Sequence, residues 1–338
     1  MRQARIKVPS DEGPGTYHAV TRTVNGEWLF DDVAKEVLRK QLWQIAEYCG
    51  VEILTYAILS NHLHVLVHVP RRTPLSDVEL LRRHAILYPR LTPYQAARLN
   101  AIRTQLAING PDAVAWRNRQ MALMSDLSQF MKLLKQRFSI WFNKRHGRFG
   151  TLWAERFKSV LVEPQRNALE MVAAYIDLNS VRAGLAGDPK DYRWCGYAEA
   201  VAGAAAARRG ITAVFGANVD AWSTKQADYR LLLFGTGSAP RAQASSIPEE
   251  SFAHVVKSGG KLTLSTLLRC RLRYFSDGAV LGSRAFVEAH LAATRRRAGG
   301  LPRTAPRPLP QGFDRDGVVT LRKLRGSSWP HSSATVPP

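Results

Sequence analysis

Cysteine is scarce in this chain: 338 residues hold three, Cys49, Cys195 and Cys270. An odd number so widely scattered excludes a disulfide framework, and no pair has the close spacing of a zinc knuckle. A reducing compartment, most simply the cytoplasm, is the expected setting. Long apolar runs are missing too. Nothing approaches the roughly 18 consecutive apolar residues of a membrane-spanning helix, so no membrane partner is expected. The opening stretch "MRQARIKVPSDEGPG" is basic and lacks the apolar centre of a secretory leader. Negative charge is thin: 27 acidic residues face 48 lysines and arginines, for a net charge of +21. An excess of that size fits a polyanion, and nucleic acid is the commonest one.

What is present supports a folded core, since 45% of the residues are hydrophobic. Residues 1–14 read as a flexible leader. "TYHAVTRTV" alternates β-formers with polar residues and ends at the turn dipeptide Asn25-Gly26. From Asp31 to Tyr48 the apolar residues Val33, Val37, Leu38, Leu42 and Ile45 follow helical spacing, with two aspartates at the start and Gly50 at the end. "VEILTYAIL" and "HLHVLVHV" follow as two strands joined by a tight Ser60-Asn61 connection. Residues 71–121 are Arg-rich, hold short helical segments and read as an insertion. A long helix is expected over Ser125–His146, a strand near the end of "TLWAERFKSVLVE", and a helix over Asn167–Arg182.

That order is β-α-β-β-α-β. The expected fold class is α+β: a ferredoxin-like antiparallel sheet with helices on one face, plus a C-terminal helical extension. The catalytic domain would span 15–200 with the insertion at 71–121. A linker region would follow over 201–248, a small helical basic module over 249–298, and a disordered Pro/Arg-rich tail over 299–338.

His62 and His64 stand one residue apart in "LSNHLHVLVHVP". On a strand they project from one face, with Cβ atoms roughly 6.5–7 Å apart, while Leu63, Val65 and Val67 fill the other. Two imidazoles so placed can converge on one divalent metal, and a pair of half-exposed surface histidines gives the same short pattern. His68 shares the face. Tyr175 and Asn179, four residues apart, stack on one side of the late helix and point a phenol and a carboxamide the same way. A half-buried tyrosine with an exposed asparagine satisfies that spacing equally. Together the pieces suit a reaction in which a tyrosine hydroxyl attacks a phosphodiester beside a metal-polarised phosphate. Between Lys132 and Lys158, cations interleave with Phe138, Trp141, Phe149 and Trp153. Cations track phosphates while aromatic faces stack unpaired bases. Phe138 and Trp141 read as a core stripe, and Lys144, Arg145, Arg148, Arg156 and Lys158 read as DNA-binding.

"AILSNHLHVLVHVP" resembles the HUH motif region of the single-tyrosine transposases, including those associated with repetitive extragenic palindromes and related insertion-sequence transposases. "FNKRHGRFGTLWAERFKSVLVE", "AAYIDLNSVRAGL" and "DYRWCGYAEA" are similar to that family's next blocks, in the same order. The resemblance covers roughly residues 15–200 apart from the insertion. It implies a ferredoxin-like catalytic domain, a Mg²⁺ or Mn²⁺ cofactor, and cleavage and rejoining of single-stranded DNA beside hairpins through a 5′-phosphotyrosine. By that resemblance His62 and His64 bind the metal, Tyr175 is the nucleophile and Asn179 is a third polar ligand. Some relatives carry Gln at that last position, and Asn, one methylene shorter, would coordinate through water or more weakly. Many relatives show tyrosines where this chain has Phe138 and Trp141. Two rival readings stay open: a domesticated hairpin-binding protein that does not cut, and an HUH replication initiator or relaxase. A homodimer is as compatible with the sequence as a monomer.

Overall fold

The computed structural model describes residues 5–164, 166–234, 275, 278–298, 305–309 and 317–322. The chain opens with β1 (Gly15–Arg22), α1 (Asp32–Cys49), β2 (Glu52–Ile58) and β3 (His62–Val69). Helix α1 begins where Asp31 accepts a hydrogen bond from the Ala34 amide, and it ends at Gly50, whose φ of 63° is left-handed. Three helices fill the expected insertion: α2 (Asp77–Leu87), α3 (Pro93–Ala107) and α4 (Pro111–Met121). Then come α5 (Leu127–His146), capped by Asp126, and β4 (Lys158–Val162). The four strands pair in the order β2-β3-β1-β4, every pair antiparallel. This is an α+β chain built on an open sheet.

The helices do not stay on one face. Leu38, Leu42 and Ile45 of α1 and Phe130, Leu134 and Phe138 of α5 pack with Ile58, Leu63, Val65 and Val67 on one side of the sheet. The opposite side, with Leu54, Ala57, Leu66, Val160 and Val162, is covered by a second helical layer. That layer comprises α6 (Arg166–Asp177), a short turn α7 (Asn179–Arg182), α8 (Gly196–Val201), α9 (Ala205–Val214) and α10 (Trp222–Phe234). The reason lies in the strands: both faces are apolar along β2 and β4, so both must be covered. Much of the expected linker over 201–248 is therefore packed helix, and its remainder lies outside the described residues.

Three further expectations change. The leader is docked from residue 5: Ile6 is buried, Lys7 pairs with Asp126 at 2.8 Å, and the Arg5 guanidinium donates to the Phe157 carbonyl at 2.7 Å. The module over 249–298 is not wholly helical. Its described part contains β5 (Gly278–Ser283), which pairs parallel with β4, and then α11 (Arg284–Ala298). Within the stretch expected to be a disordered tail, β6 (Arg307–Pro308) and β7 (Val318–Arg322) extend the sheet to β2-β3-β1-β4-β5-β7-β6. Among the described residues no helix is long and apolar enough to cross a membrane. Cys49 and Cys195 are buried free thiols, and Cys270 lies outside the described residues.

Candidate active site

Strand β3 turns Leu63, Val65 and Val67 into the α1–α5 core, and its alternation leaves His62, His64, Leu66 and His68 on the α6 side. The β1–β3 register sets Arg22 beside His62, Val20 beside His64, and His18 beside Leu66. All three of those β1 residues share the histidine face. The His62 and His64 ring centroids are 5.1 Å apart. His18, which no motif pointed to, stacks on His64 at 5.0 Å and bonds it, Nε2 to Nδ1, at 2.8 Å. His68 lies further along the strand and is turned to the Thr16 hydroxyl at 3.0 Å.

The hydrogen bonds decide which nitrogens carry protons. His18 Nδ1 lies 2.6 Å from the Phe275 carbonyl, an obligate acceptor, so that nitrogen is the donor. Burial, opposed by that bond and reinforced by the nearby Arg182 charge, lowers the His18 pKa to about 4, so the ring is neutral and its Nε2 is bare. The 2.8 Å contact is then a bond donated by His64 Nδ1. Burial first, and then the neighbouring His18, His62, Arg182 and Arg22, hold the His64 pKa well below 6.5. A neutral His64 protonated at Nδ1 presents an unprotonated Nε2. That is the form a metal needs. Nδ1 of His62 faces the Asn61 side-chain oxygen at 2.6 Å, so the same tautomer is favoured there. Among the described residues no group of three or more His, Cys, Asp and Glu side chains converges as a metal cage. The donors this face would offer a divalent ion are therefore the imidazoles of His62 and His64.

Tyr175 lies on α6, which crosses the histidine face. Its ring centroid is 6.1 Å from that of His64 and 6.2 Å from that of His18. It is 3% exposed, with the Phe275 ring at 4.9 Å and the Arg182 guanidinium stacked on it at 4.0 Å. Arg182 also donates to the Tyr175 carbonyl at 2.7 Å. Asn179 behaves differently from its expected place on one continuous helix. Helix α6 stops at Asp177, and the Asn179 side-chain NH₂ donates to the Tyr175 and Ile176 carbonyls at 3.1 Å each. Its amide nitrogen closes the end of α6, and among the described contacts none joins Asn179 to His62 or His64.

The expected DNA-binding cations divide. By strand register Lys158 shares the histidine face, across Val20 from His64. Arg156 is exposed just before it. Lys144 and Arg145 are exposed in the last turn of α5, and Arg148 follows that helix, 3.8 Å from Glu27. Phe138 is 0% exposed and packs edge-on against Phe30 at 5.4 Å, so it belongs to the core stripe. Sequence reading missed His18, Arg182 and Phe275. Arg182 stood within the block "LNSVRAGL", but its place over a ring seven residues earlier depends on the break after α6.

A family profile described as "Transposase IS200 like" matches residues 14–81. Residues 14–81 are similar to the IS200-like transposases. The matched segment runs from β1 through β3 into α2, so it contains His18, His62 and His64 and ends before Tyr175. The match supports an HUH-type single-tyrosine transposase family and, at that level, a DNA transposase. No curated protein matches the chain. Among solved structures, one described as a REP-associated tyrosine transposase bound to a REP hairpin is similar over 60% of this chain and 87% of that one, at 15% identity and a TM-score of 0.38.

Proposed function

We propose that this IS200-like transposase cuts and rejoins single-stranded DNA beside hairpins, with Tyr175 as the nucleophile. The observation that carries the reading is the 6.1 Å approach of the Tyr175 ring to His64, on a histidine face contained in the transposase segment. The phenol oxygen would attack phosphorus, giving up its proton as the P–O bond forms. The bond to the 3′ oxygen breaks, and that oxygen leaves as a hydroxyl after protonation. A later 3′-hydroxyl attacks the phosphotyrosine, restores the phenol and joins a new strand. His62 and His64 would hold a divalent ion, which when bound polarises the phosphate and stabilises the departing oxygen. Arg182, over the tyrosine ring, adds positive charge where the phosphate must come. Net charge +21 supports a DNA partner.

The test incubates the full chain with labelled oligonucleotides that carry a hairpin and a single-stranded flank, with Mn²⁺. The expected result is a denaturant-resistant adduct that is lost in Tyr175→Phe and with EDTA. An adduct that survives Tyr175→Phe reassigns the nucleophile. One observation favours the second reading, a hairpin-DNA binder that does not cut: Tyr175 is 3% exposed, beneath Phe275. Tight hairpin binding with no adduct from the intact chain would establish that reading instead.

A further inference from the structure

Trp28 is 83% exposed and Phe149 is 98% exposed, far from the burial these side chains usually reach. They lie on two different loops, and the fold brings those loops together. The Val24 amide donates to the Leu152 carbonyl at 2.9 Å, Thr23 bridges to Trp153, and the Glu27 carboxylate meets Arg148 at 3.8 Å. Each aromatic thus adjoins one member of the same ion pair.

Both loops are built rather than loose. Asn25 and Gly26 have positive φ values of 54° and 71°, and the Thr23 hydroxyl ties the Glu27 carbonyl at 2.7 Å. On the other side Gly147 and Gly150 turn the chain at φ 58° and 86°. The Asn143 side chain donates to the Gly150 carbonyl at 3.0 Å, and the Arg148 amide donates to the Asn143 carbonyl at 3.0 Å. The platform also connects to the histidine face. The Asn61 side chain donates to the Gly26 carbonyl at 2.7 Å while its oxygen faces His62 Nδ1.

The surroundings are cationic. Lys144 and Arg145 are exposed at the adjoining end of α5, Arg148 lies between the loops, and Arg22 is exposed beside His62. Flat apolar rings with cations around them suit neither a membrane interior nor an acidic protein surface as well as they suit a nucleotide chain, whose bases stack while its phosphates meet the charges.

We propose that Trp28 and Phe149 form a stacking platform for unpaired bases of the single strand that enters the His62–His64–Tyr175 site. The assignment rests on the DNA reading above and goes beyond it by naming the contact surface. It is tested with the full chain and hairpin oligonucleotides that carry 5-iododeoxyuridine at successive flank positions. Cross-links should map to Trp28 or Phe149. Trp28→Ala and Phe149→Ala should each weaken binding of the flanked hairpin by roughly five- to a hundredfold, leaving a blunt hairpin bound as before. Trp28→Phe and Phe149→Trp, which keep a ring, should restore most of the affinity. Cross-links confined to other residues, or alanine variants that bind the flank like the original chain, overturn the platform. So does DNA-free self-association that Trp28→Ala abolishes, because a second copy would then be the occupant. Platform binding without any tyrosine adduct would refute the cleavage reading and leave this one standing. Adduct formation unaffected by both alanines, with unchanged flank affinity, would do the reverse.

Discussion

His18 acts through His64 at the scale of single atoms. Its Nδ1 proton is fixed by the Phe275 carbonyl at 2.6 Å, and its bare Nε2 accepts from His64 at 2.8 Å. Replacing it frees the His64 ring to place its proton on either nitrogen. His18→Phe is therefore expected to lower Mn²⁺ affinity of the DNA-free chain about 10–100-fold. His18→Gln, whose amide oxygen can accept the same proton, should recover part of the loss. Titration with Mn²⁺, together with nitrogen NMR of labelled histidine, reads both effects. An unchanged His64 tautomer in a folded His18→Phe chain would remove His18 from the site. Asp177 makes a different prediction. Its carboxylate is buried, accepts from Thr55, Tyr229 and the Tyr197 amide, and lies near Cys195. Burial outweighs those donors and raises its pKa from 3.8 to about 7. An acid with a raised folded pKa binds its proton more tightly when folded. Its contribution is complete below pH 3.8 and is lost as pH rises to about 7. Asp177→Asn, neutral throughout, should gain on the original chain by about 1.4 kcal/mol per pH unit between pH 5 and 7 in urea unfolding. Parallel curves would mean that the carboxylate stays ionised. His62 and His64 were legible because both lie in one short run. His18 takes its meaning from partners 46 and 257 residues away and Asp177 from partners 20 to 122 residues away, so local pattern is silent about them.

At the scale of elements, the second helical layer depends on close approach. A Cβ on Gly210 of α9 would sit 2.5 Å from the Leu54 carbonyl oxygen and also meet the Ile53 carbonyl. On an exposed helix, alanine in place of glycine gains about 1 kcal/mol from propensity. Here the backbone of β2 stands in the way, and overpacking of this kind costs about 1–3 kcal/mol, so the clash wins. Gly210→Ala is expected to be destabilising in urea unfolding, and a stabilised variant would show that α9 can move off the sheet freely. Helix α1 was readable to within a residue at each end, because Asp31 and Gly50 are strong start and stop signals. Helices α8 and α9 were not readable as packed elements. Both are short and Ala-rich with few large side chains, and what makes them core is the apolar face of β2 beneath them. The same holds for β5 and β7, which are short and find their partners only through the edge of β4.

For the whole molecule, the excess of +21 matters through where it lies. Some cations are already matched: Arg82 bonds Glu79 and Glu47, and Arg117 bonds Asp77, all involving the insertion helices or α1. Arg148 and Lys158 also have acidic neighbours, Glu27 at 3.8 Å and Glu155 at 3.5 Å, at longer reach than the Arg82 and Arg117 pairs at 2.6–2.9 Å. Composition revealed the excess but could not sort tightly held charges from the looser ones around the site, because pairing is decided by non-local packing. Lys158 shares the sheet face of His62 and His64, and Arg148 stands between the two loops that end beside them. If single-stranded DNA runs along that end of the sheet, each phosphate met there releases counterions, and affinity falls with salt at a slope near −0.7 per contact. Lys158→Ala and Arg148→Ala should each flatten the slope of log affinity against log salt by about 0.7. Arg82→Ala, whose charge is already neutralised by two glutamates, should leave the slope unchanged. Fluorescence anisotropy on one flanked hairpin across a salt series measures all three. Equal slopes for the three variants would mean that the strand takes another path across the protein.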